Sequence, residues 1–509
     1  MDFLTPLFRR LGNNRLQKIE YFKQNPNEVQ AYQLKKVIER LAHTQYGKRY
    51  GITLQSGYSQ FTQNVPVVHY EDIAPEIEKM LQGQRDILTP GLCRWFAQSS
   101  GTTNARSKYI PVPKIHLHNC HFKGGMDCVR LYLNNNPHSR FFSHKGFSIT
   151  GSLNTSSPSH HPSIQIGDIS AIMTKCMPFI GKTVRAPQEE LLLLPDWNQK
   201  LEAVSNALVN TNIGNLSGVP SWMLLVIKRV LQKAQTQNIH QVWPNLEVFF
   251  HGGVDFSPYR SKYRQLLGDS VHFVETYNAS EGFFGIQNDP SDPSMLLMLD
   301  YGVYYELIPL SQYHQGVLQP IPLAQAELGK HYALVLSTLG GLYRYIIGDT
   351  IEFTSLQPYK IRITGRTKAF INGFGEELMV SNTDTAIEKV SKALGFHTTD
   401  YTAAPVFLTE EGKGFHQWVI EATPNTQTPL PSNTTVALAI DEALRQVNSD
   451  YDAKRSLNLN LQAPQVAFVP AGTFLKWHKA HGKLGGQHKV PRLSPNNDFV
   501  QQLLQLAQQ

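Results

Sequence analysis

Apolar residues recur near helical spacing through the first part of the chain. Leu16, Ile19, Phe22, Val29, Tyr32, Leu34, Val37, Ile38 and Leu41 predict helix across residues 14–45. Upstream, Phe3, Leu4, Leu7, Phe8 and Leu11 form one further helical face, which is read as packing on its own protein. The same periodicity predicts helices over 115–133, 199–210 and 219–237. Between these lie short β-branched and aromatic runs, read as strands: Leu246–His251, His272–Thr276, Gly302–Leu307, Tyr332–Thr338 and Ile351–Thr354. Alternation of the two patterns predicts α/β architecture. The character changes after Arg366, where short strands (Val406–Leu408, Gln417–Ile420, Gln465–Val469) flank helices over 383–394 and 435–448. The expectation is a large N-terminal α/β domain, 1–366, and a smaller C-terminal α+β domain, 367–509, joined near 366–370. No internal repeat is visible, and the glutamine-rich end, 501–509, is predicted to fray.

A chain of 509 residues has material for two or more domains. The formal net charge of +7 favours anionic ligands. It does not specify nucleic acid, because no basic block, zinc-finger spacing or aromatic RNA-binding signature accompanies it. No apolar run approaches the roughly 18 residues of a membrane span; Trp222–Ile227 is among the longest. The N-terminus has no positive region ahead of an apolar one, so it is not read as a secretory signal. Four scattered cysteines (Cys93, Cys120, Cys128, Cys176) do not form a disulfide framework, and the simplest home is a reducing cytoplasm.

Chemistry enters with Gln98-Ser99-Ser100-Gly101-Thr102-Thr103-Asn104-Ala105-Arg106-Ser107-Lys108, between a strand end at Arg94–Ala97 and an extended Tyr109–Val112. Hydroxyls, exposed backbone N–H groups and a lysine converging on one loop suit a polyphosphate, although such clusters also make ordinary turns. Four further constellations follow. His251-Gly252-Gly253 leaves an apolar strand on paired glycines that let a flat ring approach the backbone, or simply turn the chain. Tyr277-Asn278-Ala279-Ser280-Glu281 places an aromatic four residues ahead of a carboxylate, suiting a base and a metal, or a capped turn. Tyr343-Arg344-Tyr345-Ile346-Ile347-Gly348-Asp349 puts an aspartate just past a β-branched strand, where it can accept a ribose diol. Gly365-Arg366-Thr367-Lys368 sits on the composition change, and Gly472-Thr473-Phe474 leads to Gln487-His488-Lys489-Val490-Pro491-Arg492.

His116, His118, Cys120, His121 and Cys128 look like metal ligands, but no partner spacing matches a zinc site. Gly146-Phe147-Ser148-Ile149-Thr150 fails the serine-hydrolase pattern at its last position, and no Walker lysine loop is present.

In this order the motifs resemble the GH3 acyl-acid amido synthetases, a branch of the acyl-adenylate-forming superfamily, over roughly residues 95–493. The glycine-free continuation Asn104-Ala105-Arg106 is similar to bacterial-type rather than plant members and leaves the acyl substrate open. The resemblance implies a carboxylic acid activated by ATP as acyl-AMP and then transferred to an amine, with an amino acid as the expected acceptor. By the same resemblance, Ser99, Ser100, Gly101, Thr102, Thr103 and Lys108 hold the β- and γ-phosphates, and Glu281, beside Ser280, ligates Mg²⁺. Tyr277 stacks on adenine over Gly252 and Gly253, Asp349 takes the ribose with Arg366 nearby, and Lys489 stabilises charge during adenylation. Lys368 is the implied pivot of a mobile small domain. Arg130 pairs an anionic group of the acid or lies on the surface, in a pocket expected from 115–133, 148–175 and 216–226. An acyl-CoA ligase and a non-catalytic nucleotide-binding homologue stay open as alternatives. The oligomeric state is not legible.

Overall fold

The computed structural model of the chain describes residues 2–99, 108–153, 161–254, 256–367, 370–376, 378–408, 413–424, 429–456, 461–480, 491–494 and 496–508. Their packing separates two units. The first holds the described residues up to Ser99, Lys108–Gly253 and Leu266–Thr367; the second holds those of 254–265 and those beyond 368.

The first unit carries strands β1 (Trp95–Ser99), β2 (Lys108–Pro111), β3 (Lys145–Ser148), β4 (Gln165–Gly167), β5 (Ile213–Gly218), β6 (Val248–His251) and β7 (His272–Ala279). It continues through β8 (Gly282–Ile286), β9 (Met295–Leu297), β10 (Val303–Pro309), β11 (Ile321–Pro322), β12 (His331–Thr338), β13 (Tyr345–Leu356) and β14 (Tyr359–Arg366). Among the described residues, eleven of these form one sheet in the order β11-β10-β12-β13-β14-β9-β8-β7-β6-β5-β3. The run β3-β5-β6-β7 is parallel, and from β7 onward every pairing is antiparallel. Parallel strands are covered on both faces and so read as unbroken apolar runs; all four residues of β6 are buried. β7 is the seam between the two regimes, and open α/β sheets bind ligands beyond the carboxyl ends of such strands. A smaller sheet, β2-β1-β4, lies in the same unit.

The long helix expected over 14–45 is two helices, Leu4–Gln24 and Pro26–Leu41. Pro26 disfavours helical geometry at Asn25, lacks an N–H, and fits the first turn of the next helix. A helix over Tyr70–Leu81 carries a capping box, with Asp72 accepting the His69 backbone N–H at 2.8 Å. The expected helix over 115–133 is present, but its residues Leu117–Phe122 form a π-helical turn between Lys114–His116 and Lys123–Asn135. Asp349 lies within β13 rather than after a strand, because Gly348, at φ +96°, lets the chain kink and resume pairing.

In the second unit β15 (Phe370–Ile371) pairs β16 (Leu378–Met379), and β17 (Phe396–Phe407), β18 (Gly414–Pro424) and β19 (Gln465–Val469) form a three-stranded sheet. Its core takes side chains from helices Val380–Leu394 and Asn433–Val447. The first of these helices ends on Gly395 at φ +75°, the left-handed cap that glycine adopts without a Cβ penalty. The expected fraying of the end does not occur over most of its length. Asp498–Ala507 is a helix whose Val500 and Leu503 are buried with Phe474 and Trp477, and Trp477 Nε1 donates to Gln502 Oε1 at 2.8 Å. An apolar stripe every three to four residues outweighs the glutamines on the opposite face.

Candidate active site

The site grows from the seam strand. β7 runs out to Ala279, the chain reverses over Ser280 and Glu281, and β8 returns from Gly282. Glu281 is therefore held at a hairpin tip, only 6 % exposed. Burial pushes its carboxyl pKa up, while Lys108 and Arg366 pull the other way. Among the described residues its side chain accepts a long hydrogen bond from Tyr345 Oη at Oε1, 3.5 Å away. A carboxylate with four lone-pair sites thus retains acceptor capacity inside the protein.

Asp349 sits beside it. The register of β13 and β14 sets Asp349 opposite Arg366, whose Nε lies 2.7 Å from Asp349 Oδ1. Tyr277 Oη donates to the other oxygen, Oδ2, at 2.6 Å. Among the described residues each carboxylate oxygen thus meets one donor, and a carboxylate has about four acceptor sites in all. Tyr277 is 4 % exposed and meets Phe284 edge-on, with centroids 5.0 Å apart. Its hydroxyl thus fixes one oxygen of Asp349, a contact the sequence did not reveal.

The loop after β1 is closed at its neck, because Ser99 pairs with Lys108 in the β1–β2 register. Lys108 Nζ lies 5.6 Å from the Tyr70 ring centroid, a cation–π contact. Tyr70 Oη also accepts the Tyr109 backbone N–H at 2.9 Å. Tyr70 reaches this place because the strand segment before it is sewn to the sheet: Val68 N–H donates to Arg344 O at 3.0 Å and Ile346 N–H to Val68 O at 2.9 Å.

At the end of β6, a Cβ on Gly252 would stand 2.2 Å from the backbone oxygen of Thr276, so only glycine fits there. Gly253 adopts φ +85°. Strands β6 and β7 deliver these glycines and the Glu281 hairpin from neighbouring positions in the sheet.

Behind Glu281 stands the π-helical turn. His116 Nε2 lies 2.9 Å from Glu281 O; a carbonyl only accepts, so Nε2 carries the proton. Burial pushes the imidazole pKa down to about 4, leaving the ring neutral. Cys120 Sγ accepts the Phe283 backbone N–H at 3.1 Å. His116 and Cys120 thus bind the hairpin backbone. Among the described residues no group of three or more His, Cys, Asp or Glu side chains is placed to hold a metal by itself.

Lys108, Glu281, Tyr277, Asp349 and Arg366 are brought together; the sequence reading passed over Tyr345 and Tyr70 and weighed His116 only as a metal ligand. Tyr345 stood inside a quoted motif, two residues from Tyr343, with nothing to mark its side chain. Ser280 is the residue before Glu281 in the hairpin turn, half-buried. Arg130 belongs elsewhere. Its Nη1 binds Asp127 at 2.8 Å and its guanidinium lies 5.2 Å from the Phe8 ring centroid, so its charge is engaged between the first helix and Lys123–Asn135. Asp127, fully buried and also bound by Arg15, holds it in place. Ser100, Gly101, Thr102, Thr103, Lys368 and Lys489 lie outside the described residues. Arg492, from the same C-terminal signature as Lys489, is engaged by Asp400 and sits over the Tyr401 ring at 4.7 Å.

The large sheet thus turns from parallel to antiparallel at β7, with Glu281 and Asp349 near that seam and a glycine pair at the end of β6. The chain matches the GH3 family N-terminal domain over residues 15–272, its central domain over 296–366 and its C-terminal domain over 381–498. It belongs to the GH3 family. It is 24 % identical to an indole-3-acetic acid-amido synthetase (GH3.4) of Arabidopsis thaliana, over 94 % of this chain and 91 % of that protein. It is 23 % identical to the jasmonoyl–L-amino acid synthetase JAR6 of Nicotiana attenuata, over 96 % and 95 %. Among solved structures, the GH3.15 acyl acid amido synthetase in complex with 2,4-DB superposes with TM-score 0.61 at 18 % identity, covering 97 % of this chain and 95 % of that one. A 2-hydroxyisobutyryl-CoA ligase in its thioesterification state gives TM-score 0.54 at 13 % identity, over 95 % and 92 %. The last two likenesses speak to fold.

Proposed function

We propose that this protein is an ATP-dependent acyl-acid amido synthetase: it converts a carboxylic acid to its acyl-adenylate and passes the acyl group to an amino acid's amine. The observation that carries the reading is the grouping of Glu281, Tyr277, Asp349 and Arg366, carried by the β7–β8 hairpin, β13 and β14 of the large sheet, with Lys108 from β2 of the smaller sheet. Relatives named for indole-3-acetic acid and jasmonic acid support an organic acid as the first substrate. An acyl-CoA ligase shares the architecture, but the Gln487-x-Lys489-x-Pro491-Arg492 ending, by its resemblance to the GH3 branch, favours the amide product.

Two anions must meet for the first step, carboxylate and polyphosphate, so the site must offset their repulsion. Lys108 and the loop it closes grip the β- and γ-phosphates. Asp349, oriented by Tyr277 and Arg366, accepts the ribose hydroxyls, and adenine lies beside Tyr277, at the β6 end where Gly252 lets β6 and β7 close together. Glu281 fits a magnesium ion, which is commonly held by one or two carboxylates plus substrate phosphates. When bound there, the ion would supply charge neutralisation on the phosphates. The acid's oxygen attacks the α-phosphorus, pyrophosphate leaves, and Lys489 offsets the charge that develops. The amine's lone pair then attacks the acyl carbonyl and AMP departs. We place the pivot of the small domain at Arg366–Lys368, and the protein, with its free cysteines, in a reducing cytoplasm.

Acid-dependent exchange of labelled pyrophosphate into ATP tests this. Glu281→Gln should lower that exchange by roughly 100- to 1,000-fold, the cost of a lost electrostatic group at a reacting phosphate. Exchange at the wild-type rate would remove Glu281 from the chemistry.

A further inference from the structure

We propose that the π-helical turn Leu117–Phe122 and the residue before it form a clamp that sets the Glu281 carboxylate, with His116 as its positioning residue. The inference rests on the reading of Glu281 as the nucleotide-site carboxylate. π-Turns are rare and occur mostly where function demands a local departure from the α-helix. Here the departure lets one short segment grip both ends of the three-residue tip Glu281-Gly282-Phe283. His116 Nε2–H donates to Glu281 O at 2.9 Å. Cys120 Sγ takes the Phe283 N–H at 3.1 Å, and its thiol points back to Phe283 O at 3.7 Å.

The surroundings allow little slack. A Cβ on Gly282 would stand 2.8 Å from the Phe284 ring and 3.2 Å from Cys120 Sγ, and one on Gly124 would stand 2.3 Å from the Phe283 ring. His116 is fully buried, and its Cδ2 lies 3.0 Å from where a Cβ of Gly340 would project. The imidazole is thus wedged between the Gly340 turn and the Glu281 hairpin. Its Nδ1 is buried with no hydrogen-bond partner, as is His121 Nε2 in the ring that meets it edge-on at 5.2 Å. A residue kept for packing alone would carry no such cost, since a buried unmade hydrogen bond is unfavourable. The Nε2–H bond to Glu281 is the feature that an apolar side chain of similar size would not supply. The segment also starts directly after β2, so the chain that closes the phosphate loop at Lys108 is the chain that fixes Glu281.

The test is equilibrium binding of ATP to the full chain, with Mg²⁺ and with EDTA, in variants at 116 and 281. Glu281→Gln should abolish most of the Mg²⁺-dependent gain in affinity. His116→Leu should reduce that gain roughly three- to tenfold, as for one lost hydrogen bond. His116→Gln should restore it, because the glutamine amide places a donor near the Nε2 position. His116→Leu should cost nothing further in the Glu281→Gln background, since it acts through that carboxylate. An unchanged gain in His116→Leu, a full additional loss in the double variant, or failure of His116→Gln to recover overturns the proposal. If His116→Leu does not fold, His116→Asn, whose amide falls short of the carbonyl, carries the same comparison. A gain preserved in Glu281→Gln itself would instead sink the reading of Glu281.

Discussion

Lys200 shows how far a single side chain can be bent to structure. It is 3 % exposed, and its ammonium donates to Gly151 O at 2.9 Å, Ser152 Oγ at 3.0 Å and Thr150 O at 3.2 Å. Burial pulls its pKa from 10.5 to about 8, with Asp168 opposing. Between these values the unfolded chain holds a proton that the folded chain has released, so stability rises with pH across about 8 to 10.5 and falls as pH drops back through it. Relative to Lys200→Met, which cannot titrate, the wild type should gain up to about 3 kcal/mol over this window in denaturant titrations. A difference that is flat with pH would contradict the assignment. Nothing in the sequence around Lys200 announces this, because the acceptors, two backbone oxygens and the Ser152 hydroxyl, lie about fifty residues away in the chain. Glu281 and Asp349 were legible for the opposite reason: each sits in a local motif whose spacing reflects a hairpin tip or a glycine kink. Tyr345, Tyr70 and His116 act across long separations, and no local pattern encodes that.

At the scale of elements, the segment 62–70 deserves the closest comparison with the sheet it borders. Arg344 adopts φ +48°, binds Glu306 through both Nε and Nη2, and donates to the backbone oxygens of Thr62 and Val65. It buckles the N-terminal segment onto β13, next to Tyr345 and upstream of Asp349. Glu306 is 1 % exposed, so Arg344→Ala leaves a buried carboxylate unpaired and should cost about 3–5 kcal/mol in unfolding free energy. Arg344→Gly should lose less, because glycine accepts the positive φ without a Cβ penalty. Equal stability of wild type and Arg344→Ala in urea melts would show that the ion pair is not what fastens the segment. Five strands of the large sheet, β6, β7, β10, β12 and β13, and the helices Val380–Leu394 and Asn433–Val447 were readable from periodicity. The helix Tyr70–Leu81 was not, although His69 and Asp72 form its capping box. The π-turn was invisible too, since an extra residue per turn leaves no mark on an apolar stripe this short. The end helix was misjudged because its glutamines were weighed and Val500 and Leu503 were not.

For the whole molecule, two compact units and two chemically different half-reactions fit one another. A site that excludes water from an acyl-adenylate and then admits an amine benefits from a moving part. If Arg366–Lys368 is the pivot, Lys368→Pro should slow adenylation and amide formation unequally in single-turnover assays, since proline fixes φ where rotation is needed. Equal rates for both steps would dismiss the pivot. The excess of 47 basic over 40 acidic residues suits a protein that gathers ATP, a carboxylate and pyrophosphate, but it does not choose among acids. The central claim is that the activated acyl group ends on nitrogen. The most direct measurement is mass spectrometry after incubating the protein with ATP, Mg²⁺ and a set of organic acids, followed by parallel addition of amino acids or coenzyme A. Acyl-AMP in the first stage and an N-acyl amino acid in the second are the predicted products. A thioester with coenzyme A and no amide with any amino acid would contradict the account.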